Sequence, residues 1–69
     1  MNEPLQTRIR DTQHGKEGVV IAYTSAGVAV VEWQNGAVSK FAGAYEVILY
    51  PRVYQDPRTG AIVVQMEKE

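Results

Sequence analysis

The sequence predicts an all-β protein: a small, strongly bent barrel of five or so antiparallel strands, followed by a C-terminal β-hairpin. Three observations lead there. The stretch from Gly15 to Gly36, GKEGVVIAYTSAGVAVVEWQNG, alternates β-branched and aromatic runs with glycine-closed turns. Strand-like runs recur along the chain at roughly eight-to-ten-residue spacing, as in barrels and sandwiches. No window of about ten residues carries the 3.6-residue apolar repeat of a helix. At 69 residues a two-sheet sandwich is cramped, which favours the barrel.

Val19-Val20-Ile21-Ala22-Tyr23-Thr24 suits a pleated, half-buried surface. Ser25-Ala26-Gly27 interrupts it, and a three-residue loop ending in Gly fits a hairpin whose last loop residue sits at positive φ. Val28-Ala29-Val30-Val31-Glu32-Trp33 resumes the strand. Alternation puts Ala29, Val31 and Trp33 on one face; Glu32 marks the other face as outward. The Asn35-Gly36 pair before the next run predicts a type I′ turn, with positive φ at both central residues.

On the N-terminal side, Met1 to Pro4 reads as a frayed end. Leu5-Gln6-Thr7-Arg8-Ile9-Arg10 reads as a strand with Arg8 and Arg10 toward solvent, and Asp11 to Gly18 as a polar loop. On the C-terminal side, Val38 to Phe41 is a strand with Lys40 outward and Phe41 inward. Ala42-Gly43-Ala44 is a tight connection with room for one 3₁₀ turn. Tyr45 to Tyr50 is a strand with Val47 and Leu49 as its core pair, and Pro51 marks its end. Arg52 to Gln55 and Ala61 to Met66 flank Asp56-Pro57-Arg58-Thr59-Gly60, a type I turn closed by a left-handed residue. Glu67 to Glu69 is a solvated tail. The chain is thus one domain, 1–69, with barrel strands over about 5–50 and the hairpin over about 52–66.

Composition narrows the function classes. There is no Cys and one His, so disulfides and Cys-based zinc are excluded and no metal or cofactor is expected. Neither a signal peptide nor a membrane-length apolar run is visible, so a cytoplasmic location is expected. Seven basic against eight acidic residues give net charge −1, which disfavours sequence-independent nucleic-acid binding. A domain this small buries only about 60% of its unfolded surface, so its stability is marginal without help.

Two segments resemble known families. Arg8-Ile9-Arg10 with His14-Gly15-Lys16-Glu17-Gly18-Val19-Val20 is similar to the KOW motif of ribosomal and transcription-factor barrels, Gly18 followed by Val20 being the most characteristic part. Val31-Glu32-Trp33-Gln34-Asn35-Gly36 resembles the V-x-W-x-x-G hairpin of Mib-Herc-type domains and of small bacterial barrels. Together they cover about Arg8 to Leu49. The resemblance implies an SH3-like barrel. For KOW barrels it implies binding to nucleic acid, ribosome or polymerase; for the others, binding to protein segments. The loop from Asp11 to Gly18 departs from the nucleic-acid branch, because Lys16 is offset by Asp11 and Glu17.

No nucleophile elbow, P-loop or dinucleotide fingerprint is present, and His14 reads as an exposed loop residue. An enzyme is therefore not expected, beyond a subunit sharing an active site between protomers. The expected function is a non-catalytic module, of the style of a small bacterial or phage accessory protein, that binds a protein partner; the alternative is a KOW-like nucleic-acid or ribosome binder. Candidate binding residues are the aromatics Tyr45, Tyr50 and Tyr54, the basic residues Arg8, Arg10, Lys16, Arg52 and Arg58, and His14. Trp33 and Phe41 are assigned to the core. The last hairpin is apolar on both faces, and such strands belong between two layers. Val53, Ile62 and Val64 are therefore candidates for self-association as a homodimer, or for folding back over the barrel.

Overall fold

The computed structural model describes residues 2–64. Seven strands follow in order: β1 (Arg8–Asp11), β2 (Glu17–Tyr23), β3 (Ala29–Trp33), β4 (Val38–Phe41), β5 (Tyr45–Leu49), β6 (Val53–Gln55) and β7 (Ile62–Val64). There is no helix among the described residues, and every strand pairing is antiparallel. The first five strands form one sheet in the order β4-β3-β2-β1-β5, and β6 and β7 form a second. The chain therefore meanders outward from β1 to β4, then returns so that β5 pairs on the other side of β1.

Four hairpins are closed by local chemistry. The connections from β2 to β3 and from β3 to β4 turn over three residues, 25–27 and 34–36, inside the Thr24–Val28 and Trp33–Ala37 backbone bonds, and Gly27 and Gly36 donate back to Thr24 and Trp33. The connections from β1 to β2 and from β6 to β7 turn over four residues, 12–15 and 57–60, inside the Asp11–Lys16 and Asp56–Ala61 backbone bonds, and Gly15 and Gly60 donate back to Asp11 and Asp56. Each loop ends at a glycine with φ between 69° and 86°, a conformation that costs other residues a steric penalty. Asn35 is not at positive φ. The expected type I′ turn is instead a three-residue loop spanned by Trp33 and Ala37, in which Asn35 Oδ1 accepts from the Ala37 amide.

The sheet bends at two irregularities. Val20 pairs Val31 and Ala22 pairs Val30, leaving Ile21 as an extra residue in β2. Arg8 pairs Leu49 and Ile9 pairs Val47, leaving Ile48 extra in β5. Such bulges bend a strand and increase its twist. Gly18 lets β2 lie close against β3: a Cβ there would stand 2.5 Å from Val31 Cγ1 and 2.9 Å from the Glu32 carbonyl oxygen. The concave side holds Ile9, Val20, Ala29 and Val31, all fully buried, with Tyr23, Trp33, Phe41 and Tyr45 packed around them. Trp33 and Phe41 meet edge to face at 5.3 Å. Phe41 on one edge strand and Tyr45 on the other touch the same core, so the sheet curls around it.

Several expectations change. Leu5 is exposed, not a strand residue, because Leu5 and Gln6 form the tip of a turn closed by the Thr7 amide on the Pro4 carbonyl, with Gln6 at φ 74°. Asp11 belongs to β1 and Glu17 to β2, which shortens the loop between them to Thr12–Lys16. Leu49 is 53% exposed, because the bulge at Ile48 breaks the alternation that puts Val47 inward. Gly43 is a bend, with no 3₁₀ turn. Glu3 and Pro4 are buried, not frayed. The expected continuation of the last strand through Gln65 and Met66, and the tail, lie outside the described residues.

Candidate functional site

The N-terminal arm is seated on tyrosines. Tyr23 closes β2, Tyr45 opens β5 and Tyr50 follows β5, so three separate elements direct phenols to one place. Tyr45 donates to Glu3 Oε2 at 3.2 Å, Tyr50 donates to Glu3 Oε1 at 3.0 Å, and the Tyr23 hydroxyl donates to the Glu3 carbonyl oxygen. Glu3 is only 7% exposed. All three phenols are held above the usual tyrosine range, first by burial and then by Glu3, whose negative charge disfavours a phenolate beside it. Thr7 is fully buried, and its hydroxyl donates to the Pro4 carbonyl at 2.6 Å, fixing the end of the arm.

The arginines of β1 sit between acids. Arg10 lies opposite Glu17 of β2 and Glu46 of β5. Its guanidinium donates to Glu46 at 2.8 Å and Glu17 at 3.3 Å, and Arg8 stands 3.9 Å from Glu17. These bonds hold the Arg10 guanidinium charged even more firmly than usual. The interior position of β1 depends on its pairing with β5, which the local sequence pattern does not reveal. Arg8 and Arg10 thus form a cross-strand ladder of alternating charge, not a basic stripe.

His14 is exposed on the first hairpin loop. Asp11 Oδ1 accepts from the amides of Gln13 and His14, and its Oδ2 accepts from His14 Nδ1 at 2.9 Å. The hydrogen bond from His14 is the main cause of the lowered Asp11 pKa, with the two amides assisting. Asp11, His14, Lys16 and Ser39 border one depression of about 300 Å³ beside Trp33. Ser39 Oγ there accepts from Trp33 Nε1 at 2.8 Å. No group of three metal-ligating side chains occurs among the described residues, and no helix there is long and apolar enough to cross a membrane.

The C-terminal hairpin is set apart. Every Cα of β6 and β7 lies more than 8 Å from those of the five other strands. It meets the rest through Tyr54, whose ring stacks on Tyr50 at 5.5 Å, and through its loop, where Asp56, Pro57 and Arg58 border the N-terminal arm. Register places Val53 opposite Val64 and Gln55 opposite Ile62 on one face, with Tyr54 opposite Val63 on the other. Tyr54 and Val63 are half-buried, whereas Val53, Ile62 and Val64 are 58%, 68% and 66% exposed. One face therefore turns inward and the other presents three β-branched side chains.

Among the described residues four strand edges are unpaired. β4 carries Lys40, β5 carries Glu46 and a bulge, and β6 follows Pro51 and Arg52. Charges, proline and bulges are the usual devices against edge-to-edge pairing. Among the described residues β7, Ile62-Val63-Val64, has none of them.

Of the candidate residues, Tyr45 and Tyr50 converge on Glu3, and Tyr50 is joined to Tyr54. Arg58 of the hairpin loop borders the arm together with Asn2, Pro4 and Tyr54 around a cavity of about 90 Å³. Arg52 stands exposed at the start of the hairpin, and Lys16 and His14 lie on the first hairpin loop. Glu3 escaped the sequence reading, its only signal being an acidic residue before a proline. The class defined is a small all-β domain with a bent five-stranded sheet, a tyrosine-anchored arm and an open-edged hairpin. No family model, curated protein or solved structure matches the chain.

Proposed function

We propose that this chain is a non-catalytic interaction module that docks an extended, apolar protein strand against β7, and that the first such strand is β7 of a second copy. The observation that carries the reading is the hairpin: its outer face exposes Val53, Ile62 and Val64, and among the described residues its β7 edge carries no charge, proline or bulge. A two-stranded hairpin is marginal in water unless it gains strands or a packed face. Antiparallel pairing of two β7 strands about Val63 sets Ile62 opposite Val64 of the other copy, a self-complementary arrangement that closes as a two-fold dimer. With a net charge of −1, little repulsion opposes it.

Sedimentation velocity at tens of micromolar tests it. A concentration-dependent dimer, abolished by Val64→Asp without loss of the β-sheet circular dichroism signal, supports the reading. A monomer at that concentration for both proteins removes the second copy as partner. The KOW-like alternative, nucleic acid, is less favoured because Arg8 and Arg10 are committed to Glu17 and Glu46. It would be restored by nucleic-acid binding whose affinity falls steeply with salt.

A further inference from the structure

The tyrosine cluster does more than anchor an arm. Two hydroxyls take the carboxylate of Glu3 and a third takes its backbone carbonyl, so one residue is read through both side chain and main chain. That combination recognises a glutamate within a peptide, as distinct from a free anion. The three phenols belong to β2, β5 and the residue after β5, positions set by the sheet and not by the arm. The arm enters the site through a turn in which Gln6 holds φ 74°, a conformation disfavoured for a residue with a side chain. Beside it lies the 90 Å³ cavity bounded by Asn2, Glu3, Pro4, Tyr50, Tyr54 and the hairpin loop.

We infer that Tyr23, Tyr45 and Tyr50 form a binding site for a peptide containing Glu followed by Pro, occupied in the free protein by the chain's own Asn2-Glu3-Pro4. The arm is a tethered ligand, and a partner segment of the same chemistry takes its place. Because Tyr50 both holds the glutamate and stacks on Tyr54, exchange at this site is felt by the hairpin. The site shares no residue with the outer face of the hairpin, so it stands or falls independently of the docking reading above.

The test uses the full-length chain carrying Glu3→Ala, with the probe acetyl-Asn-Glu-Pro-Leu-amide followed by NMR of the tyrosine rings. Saturable shifts at Tyr45 and Tyr50 are expected. A Gln-for-Glu probe should bind about tenfold or more weakly, since a hydrogen bond to a charged acceptor is lost. The unmutated protein should respond far less, because its tethered arm competes at an effective concentration on the order of millimolar. A folded Glu3→Ala protein whose tyrosines ignore the probe up to millimolar concentration, or that binds the Glu and Gln probes equally, overturns the inference. Glu3→Gln, which keeps the shape of the side chain, serves as the second variant and should behave likewise. If circular dichroism shows both variants unfolded, the arm is an obligatory part of the fold and the inference is wrong.

Discussion

The five-stranded sheet and the C-terminal hairpin are built from the same kinds of residue and reach opposite ends. Ile9, Val20 and Val31 are fully buried in the sheet, whereas Val53, Ile62 and Val64 stand mostly in solvent on the hairpin. The difference lies in closure. Bulges at Ile21 and Ile48 curl the sheet so that its concave face closes on a core, while the outer face of the hairpin, with three-residue strands, has no second layer to meet. A β-branched run tells how well a strand packs, not what it packs against.

A matched pair of truncations breaks or sharpens that contrast most strongly. Ile9→Ala should lower stability by roughly 2–5 kcal/mol in urea denaturation, as buried aliphatic truncations do. Ile62→Ala should stay within about 0.5 kcal/mol under monomeric conditions, as exposed substitutions do. Equal losses would mean the hairpin is packed after all. Next in size is Gly18→Ala, whose new methyl meets Val31 and the Glu32 carbonyl. Overpacking of this kind costs about 1–3 kcal/mol and should appear as a lower urea midpoint.

The positions of the turns were legible in the sequence because they are local: Gly15, Gly27, Gly36 and Gly60 each close a loop that a few neighbouring residues specify, although Asn35-Gly36 marked the place of its turn and not the type. Alternation likewise placed Ala29, Val31 and Phe41 correctly. What could not be read was non-local. The pairing of β1 with β2 and β5 set Arg8 and Arg10, which alternation placed toward solvent, into a neutral ladder with Glu17 and Glu46. The bulge at Ile48 turned Leu49 outward. Glu3 gained its role only when residues 20 to 47 positions away met it. No periodicity encodes such a meeting.

The arm supplies smaller effects. Tyr50→Phe removes one hydrogen bond to a carboxylate and should cost about 1.5 kcal/mol, read as a lower thermal midpoint. The pH dependence follows from the raised phenols. The folded protein keeps protons on Tyr23, Tyr45 and Tyr50 that the unfolded chain begins to release near pH 10. Their contribution is complete below that pH and lost as pH rises through the higher folded values. Thermal midpoints should therefore fall on the alkaline side, and Tyr50→Phe should flatten that fall. Asp11 acts in the opposite range: with a lowered folded pKa, its contribution is present above about pH 4 and lost on acidification.

The central claim is that the sheet is self-sufficient while the hairpin awaits a partner, and amide hydrogen exchange followed against protein concentration tests it most directly. In dilute solution the amides of Val20 and Val31 should exchange only through global unfolding, and those of β6 and β7 on the order of a hundredfold faster or more. Raising the concentration should slow exchange at Ile62, Val63 and Val64 while leaving the sheet unchanged. Hairpin amides as protected as those of the core in dilute monomer, with no response to concentration, would contradict the account.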